Sequence, residues 1–420
     1  MRKKIITINY LKLIITAAIV SVFSVLLAVS LKKATEHFEH LIFNKALHIP
    51  ILFIILPSIG ITLIYFLRKH LFEGKQNKGI KEIYQTIDNR KNMLPAFKIP
   101  SHYFNGFLTI IFGGSTGVEV STVVATAAIG AVAQRKTTIA NIYKTELICA
   151  GVTAGIAMLF VSPLAGFLFA VEVIARKKVN KTILLSCGIA ALISWFCILL
   201  IGGEPLFKFS PTIWNFSAIP FFILLSVLSG ALAVYFTKSV LFIKSTFAKI
   251  NNNFIKVNSG AVLVGIGLFF LPQLFGDSYH AIPGLMNKVT HEPFTLSLVT
   301  LLLIITVLKP LAAALTLGAG GDGGVFAPSI VSGAVLGMLI AMLINHYFGT
   351  QLIILNFALL GAAAMLSAAI DAPLTSIFLV CSMVNGGYLL FFPILMCSFI
   401  AKYSAKLLCS YTVYSYNPKV

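Results

Sequence analysis

This chain carries more long apolar runs than a water-soluble domain can bury. Apolar segments fall near residues 11–31, 49–67, 104–134, 146–175, 182–202, 218–243, 260–274, 294–320, 325–348, 352–370, 373–385 and 388–408. A helix needs about 20 apolar residues to cross the hydrocarbon of a bilayer. Several segments are longer than that, and several are split by Gly or Pro. Tilted, broken and re-entrant helices describe them better than a plain row of spans, because backbone at membrane depth must satisfy its own hydrogen bonds. The expected class is therefore an all-α polytopic membrane protein in a lipid bilayer. Composition agrees: only 11% of residues are charged, against about 25% in soluble domains. That excludes an ordinary soluble enzyme, and 58% hydrophobic residues exclude a disordered chain.

Lys and Arg number 32 and Asp and Glu 13, a formal charge of +19. No nucleic-acid motif accompanies this excess, and no nucleic-acid partner is expected. The basic residues instead sort the loops. Arg2, Lys3 and Lys4 open the chain. Arg68, Lys69, Lys75, Lys78, Lys81, Arg90 and Lys91 follow the second segment. Arg135 and Lys136 follow the third, and Arg176, Lys177, Lys178 and Lys181 the fourth. The positive-inside rule places these loops, and both termini, on the cytoplasmic side of a plasma (inner) membrane. The run after MRKK is long enough to span and is read as a first membrane helix rather than a signal peptide. No polar domain follows the last segment, so residues 1–420 are expected to form a single membrane domain without a cytoplasmic regulatory module. Cys149, Cys187, Cys197, Cys381, Cys397 and Cys409 form no C-x-x-C pair and read as small buried hydrophobes. Neither a metal nor a cofactor is expected.

The chain resembles itself. GGSTGVEVSTVVATAAIG at 113–130 aligns without a gap to GGDGGVFAPSIVSGAVLG at 320–337, pairing Gly117 with Gly324 and Gly130 with Gly337. SPLAGFLFAVEV at 162–173 is similar to APLTSIFLVCSM at 372–383. The order matches and the spacing nearly does in each half, so two structural repeats are expected, near 49–202 and 218–416. Transporter repeats commonly meet at a midplane site built from interrupted helices. Each Gly-rich block precedes an apolar helical stretch, and a helix start favours an anion through its free N–H groups and dipole. Two such starts aimed at one point would hold an anion. The alternative is that the glycines serve only close helix packing.

Four acids lie well inside apolar stretches: Glu119, Glu172, Asp322 and Asp371. Each needs a reason at that depth. Asp322 and Asp371 precede helical stretches and are expected to be N-caps. Glu172 stands near Arg176 and Lys177, where a structural salt bridge and a functional role are equally open. Glu119 lies within the first Gly-rich block, at the place of Phe326 in the second. A carboxylate there competes with an anion for the same N–H groups until it is protonated, which makes Glu119 a candidate gate and proton acceptor.

These residues resemble the CLC family of voltage-gated chloride channels and proton-coupled chloride transporters. GVFAP at 324–328 fits the family's G-x-F-x-P motif closely, and GVEVS at 117–121 keeps Gly117 and Glu119 of its G-[RK]-E-G-P motif. NKGIK at 77–81 keeps Gly79 and Ile80 of G-S-G-I-P, and Tyr414 falls at the family's anion-coordinating tyrosine. The resemblance implies a CLC-type core of two inverted repeats, a homodimer with one pore per subunit, and transport of chloride or a similar anion. Gly117, Val118, Glu119, Gly324, Val325, Phe326, Ala327, Tyr414, Lys78, Gly79 and Ile80 would surround the anion, and Glu119 would gate it. Lys78 stands where the family has its central serine, and Ser121 where it has a proline. Val173 stands where many exchangers carry an internal proton-transfer glutamate. The last substitution favours a channel, with a proton-coupled chloride or fluoride exchanger as the alternative.

Two other functions have a foothold in the sequence. A secondary transporter for organic anions would need a midplane cation, for which Lys309 is the candidate, although a helix-end lysine that snorkels is the plainer reading. GGSTG at 113–117 also matches the G-x-S-x-G of serine hydrolases, but no strand precedes it and no general base is placed for Ser115. The chain is not expected to be an enzyme.

Overall fold

The computed structural model describes residues 2–72, 74, 77–89, 92–137 and 143–416. Lys75, Arg90 and Lys91 lie outside the described residues, as do the side chains of Arg2, Lys3, Lys4 and Lys177. The fold is helical throughout. Its first half runs α1 (Arg2–His48), α2 (Ile51–Leu71), α3 (Ile80–Asp88), α4 (Lys98–Ile111), α5 (Glu119–Lys136), α6 (Lys144–Leu159), α7 (Pro163–Phe169) and α8 (Lys181–Ile201). The second runs α9 (Ile219–Ala248), α10 (Asn253–Phe270), α11 (Ala281–His291), α12 (Leu296–Ala319), α13 (Phe326–Phe348), α14 (Ile354–Ile370), α15 (Pro373–Cys381) and α16 (Phe391–Leu408). Eight helices among the described residues are long and apolar enough to cross a membrane.

The two halves repeat one packing scheme, as two inverted repeats. α5 lies on α6 as α13 lies on α14; α6 touches α1 and α8 as α14 touches α9 and α16; α7 meets α15, and α2 meets α10, across the halves. The close pairs rest on small residues. A methyl at Gly130 would run into the Leu147 carbonyl, and one at its repeat mate Gly337 into the Phe357 carbonyl. These two glycines serve packing, since backbones can approach this closely only where no side chain intervenes. α13 and α14 are buried along nearly their whole length, whereas α8, α9 and α10 present exposed Leu, Ile, Val and Phe outward. The central helices are thus shielded from lipid by outer ones.

Three elements depart from the expected runs. The first apolar run is part of a 47-residue helix, α1. α3, of 9 residues, and α11, of 11, occupy stretches expected to be loop. α3 turns inward from the basic segment after α2 and buries Ile80, Ile83 and Ile87.

Some helix starts carry side-chain caps and others do not. Asn180 accepts from the Ile183 amide at the start of α8, Asn252 from the Phe254 amide at α10, and Thr295 from the Leu298 amide at α12, which are ordinary side-chain caps. α5 and α13 begin at Val118 and Val325 with no such cap. Their first amides therefore have no helical partner, and both starts are buried.

Candidate functional site

Four segments from distant parts of the chain meet at one side chain, Val120. A Cβ at Gly79, which has φ +62° at the start of α3, would lie 3.4 Å from Val120 Cγ1. A Cβ at Gly324 would run into the other Val120 methyl and lie 3.5 Å from the Tyr414 hydroxyl. The structure thus brings together Gly79 and Ile80, Gly117 to Glu119, Gly324 to Ala327, and Tyr414. Val120 stands where the family motif has glycine, and it plugs the space between the starts of α3, α5 and α13. Ser121, in place of the motif's proline, packs on Gly106 of α4, where a methyl would come within 2.6 Å of its Cβ.

Tyr414 lies beyond the end of α16, with its hydroxyl buried and without a hydrogen-bond partner among the described residues. Burial pushes this phenol well above its ordinary value, so it remains a donor. Phe326 is fully buried, and its ring meets Phe169 of α7 edge-on at 5.4 Å between centroids.

Glu119 folds back over the start of its own helix. Its carboxylate occupies the space a side chain at Gly117 would fill. One oxygen, Oε1, accepts from the Tyr279 hydroxyl at 3.0 Å. The other, Oε2, is buried without a partner among the described residues. Tyr279, just before α11, was missed by sequence reasoning. It is 160 positions away from Glu119, and no local pattern marks it.

On the other side of Val120 a cavity of about 580 Å³ opens between the C-terminal end of α2 and the N-terminal end of α10. Arg68, Lys69, Lys78, Lys81, Lys244 and Lys256 line it, together with Asp322, Tyr414 and the Gly320–Val325 turn. Lys78 is therefore part of the cavity wall. Its backbone N–H does not face an anion: it donates to the Glu82 carboxylate, which also pairs with Lys98 at 2.9 Å. The cavity stops at Val120, Gly324 and Tyr414 and leaves Glu119 beyond it.

The remaining sequence candidates find other partners. Asp322 is not an N-cap: Val325 holds that position, and Asp322 Oδ2 meets His102 Nδ1 at 2.9 Å and accepts from Asn77 Nδ2 at 2.7 Å. Asp371 is a C-cap, not an N-cap. It ends α14 with φ +57° and pairs with Lys402 at 3.0 Å. Glu172 lies in a widened π-helical turn (Ala170–Ala175) after α7 and caps α15 in the other half, accepting from the Thr375 amide and hydroxyl, each at 2.8 Å. The Arg176 guanidinium stacks over Tyr84 instead, 3.1 Å from its ring centroid. Lys309 does not snorkel. It sits inside α12, fully buried, and donates to Ser115 Oγ and to the Gly276 carbonyl, both at 2.8 Å.

Lys309 also lies outside the cavity an organic anion would need. Ser115 is fully buried and donates to the Leu274 carbonyl at 2.8 Å, which leaves it unsuited to be a nucleophile. Glu39, Asp277 and His280 bring one possible ligand atom each within 4.8 Å of one another. The Lys309 ammonium, bonded beside Asp277, already supplies positive charge there.

The comparisons agree with this geometry. The family model for voltage gated chloride channels matches residues 59–406. An H(+)/Cl(-) exchange transporter ClcA of Vibrio vulnificus (strain YJ016) is 28% identical over 375 residues, covering 84% of this chain and 76% of that one. The ClcA exchanger of Vibrio cholerae serotype O1 (strain M66-2) is 27% identical over 368 residues, covering 84% and 75%. Among solved structures, a slow cyanobacterial Cl-/H+ antiporter superposes with a TM-score of 0.80 at 20% identity, over 96% of each chain. A CLC-type fluoride/proton antiporter superposes at 0.78 and 22%, also over 96% of each. With its paired glycine turns, its two uncapped helix starts and a family match over most of its length, the chain belongs to the CLC family of voltage gated chloride channels, membrane proteins that carry small anions.

Proposed function

We propose that the protein exchanges chloride, or a similar small anion, for protons, rather than conducting passively as Val173 alone would suggest. The observation that carries this reading is the Glu119 carboxylate, laid over Gly117 between two uncapped helix starts. There it occupies the place of an anion and must be neutralised or displaced before one passes. A side chain that alternates between blocking the path and accepting a proton couples the two movements. The relatives near 28% identity are exchangers by name, which supports the same choice.

In this reading the free amides at Gly117 to Glu119 and at Gly324 to Ala327, with the Tyr414 hydroxyl, hold the anion. Gly79 and Ile80 border the site, and Lys78 contributes charge to its entrance rather than a serine-like ligand. The basic cavity gathers anions before they reach Val120. It faces the cytoplasm, since the basic segments after α2 and α7 share one side: Lys178 Nζ pairs with Asp88 Oδ1 at 2.8 Å. The repeats run near 49–202 and 218–416. The protein works as a homodimer in the plasma (inner) membrane, one pore per subunit.

The test is efflux from liposomes holding the purified protein, with chloride, nitrate and fluoride compared and external pH recorded at the same time. Proton movement in fixed ratio to anion is expected. Anion flux with no proton movement would show a channel, and preference for a carboxylate over halides would show an organic-anion carrier.

A further inference from the structure

An exchanger must bring protons to Glu119 from the cavity side, and the residue expected for that task, at position 173, is valine. We propose that His102, held by Asp322, is the inner proton-relay residue of this protein. The inference rests on the exchanger reading above.

His102 lies on α4, fully buried, with Nδ1 2.9 Å from Asp322 Oδ2. A carboxylate on one ring nitrogen fixes the proton there and leaves the other nitrogen to take and release a second. That other nitrogen, Nε2, is buried and has no hydrogen-bond partner among the described residues. Asp322 is in turn one wall of the basic cavity, so the pair spans from the cavity edge into the interior.

The interior on that side is a seam of unsatisfied polar atoms. Buried polar groups almost always find a partner, so each exception calls for an account. Asn105 Oδ1 on α4, Ser121 Oγ and Thr122 Oγ1 on α5, and Glu119 Oε2 all lack a partner among the described residues. They lie on α4 and in the first turn of α5, which pack together. His102 and Gly106 are four apart on α4, and therefore share a face. Gly106 touches Ser121, two positions from Glu119. Asp322 is tied to the same place, since its amide donates to Thr109 Oγ1 at 2.9 Å. Waters bound to these orphan atoms would complete a track from His102 to Glu119.

In the relay step the imidazolium of His102 gives up its Nε2 proton, which passes along the seam to Glu119 Oε2. An N–H bond breaks and an O–H bond forms, leaving a neutral ring and a neutral carboxyl group; the ring is reloaded from the cavity past Asp322. The charged groups facing the pair are Arg68 from α2, Glu82 from α3, Lys98 from α4, Lys244 from α9 and Asp322 itself.

The test compares proton and anion movement in liposomes for the unaltered chain, His102→Gln and Asp322→Asn. His102→Gln, whose amide can still donate to Asp322, is expected to carry anion while its proton-to-anion ratio falls at least about tenfold. Asp322→Asn is expected to lower the proton-to-anion ratio about threefold or more while anion flux persists, because the ring loses the carboxylate that fixes its Nδ1 proton. It serves as the deciding variant if His102→Gln does not fold. Proton movement at the unaltered ratio in either variant overturns the relay and leaves the exchanger standing. Anion flux without any proton movement in the unaltered chain overturns both.

Discussion

The starts of α5 and α13 are repeat mates with different fillings. Both begin at a valine after a glycine turn, half-buried Val118 and buried Val325, and neither has a side-chain cap. At α5 the carboxylate of Glu119 lies over Gly117; at α13 the mate of that acid is Phe326, and Gly324 faces Val120 and the Tyr414 hydroxyl. One start is covered by its own carboxylate, and the other is filled by Val120 from the neighbouring helix. The difference teaches that a repeated scaffold becomes asymmetric at its centre through one residue placed on one side.

The largest effect should come from removing that residue's charge. Glu119→Gln keeps the shape and abolishes the proton acceptor, so proton movement in liposomes should fall by about 100-fold or more while anion flux persists and loses its pH dependence. Unchanged proton movement would break the comparison at its centre. Next, one methyl added to each mate should act in opposite directions. Gly324→Ala presses on Val120 and should lower anion flux about tenfold, whereas Gly117→Ala expels the carboxylate and should raise it. Equal losses in both would mean that the two starts are alike. Tyr279→Phe removes the single donor to Glu119 Oε1. A carboxylate held less firmly, by about 1 kcal/mol, should raise anion flux at neutral pH about fivefold. The smallest effect is expected for Tyr414→Phe, which should weaken anion binding about threefold by calorimetric titration, one neutral hydrogen bond's worth.

The part of the site that local chemistry dictates was legible. Glycine turns, an acid among them and the doubled pattern located Glu119, Gly117 and Gly324, because those residues answer to backbone geometry in their own neighbourhood. Partners set by tertiary packing were not. Glu172 caps a helix 203 positions away through Thr375, and Asp322 meets His102 from the other half. Asp371 looked like an N-cap because Ala372 and Pro373 follow, yet the left-handed turn that ends α14 falls on the same residue. Pro310 suggested a helix end beside Lys309, but α12 continues through it. α3 and α11 were lost for a different reason: they are too short and too polar to register as apolar runs, although α3 supplies one wall of the site. The packing explanation for the paired glycines holds at Gly130 and Gly337, while Gly117 and Gly324 leave room for the acid and for Val120.

The basic cavity has a kinetic consequence. Its six cationic side chains act on an approaching anion across a space only about 580 Å³ in volume, comparable in width to the Debye length of roughly 8 Å at physiological salt. Bulk salt therefore screens its mouth but not its floor. Entry from that compartment should be fast and steeply dependent on ionic strength. Glu119, beyond the cavity, has Tyr279 and Asp277 nearby in place of a ring of six cations. With identical solutions on both sides, equal and opposite driving forces should then produce unequal fluxes, so the molecule rectifies by the asymmetry of its entrances.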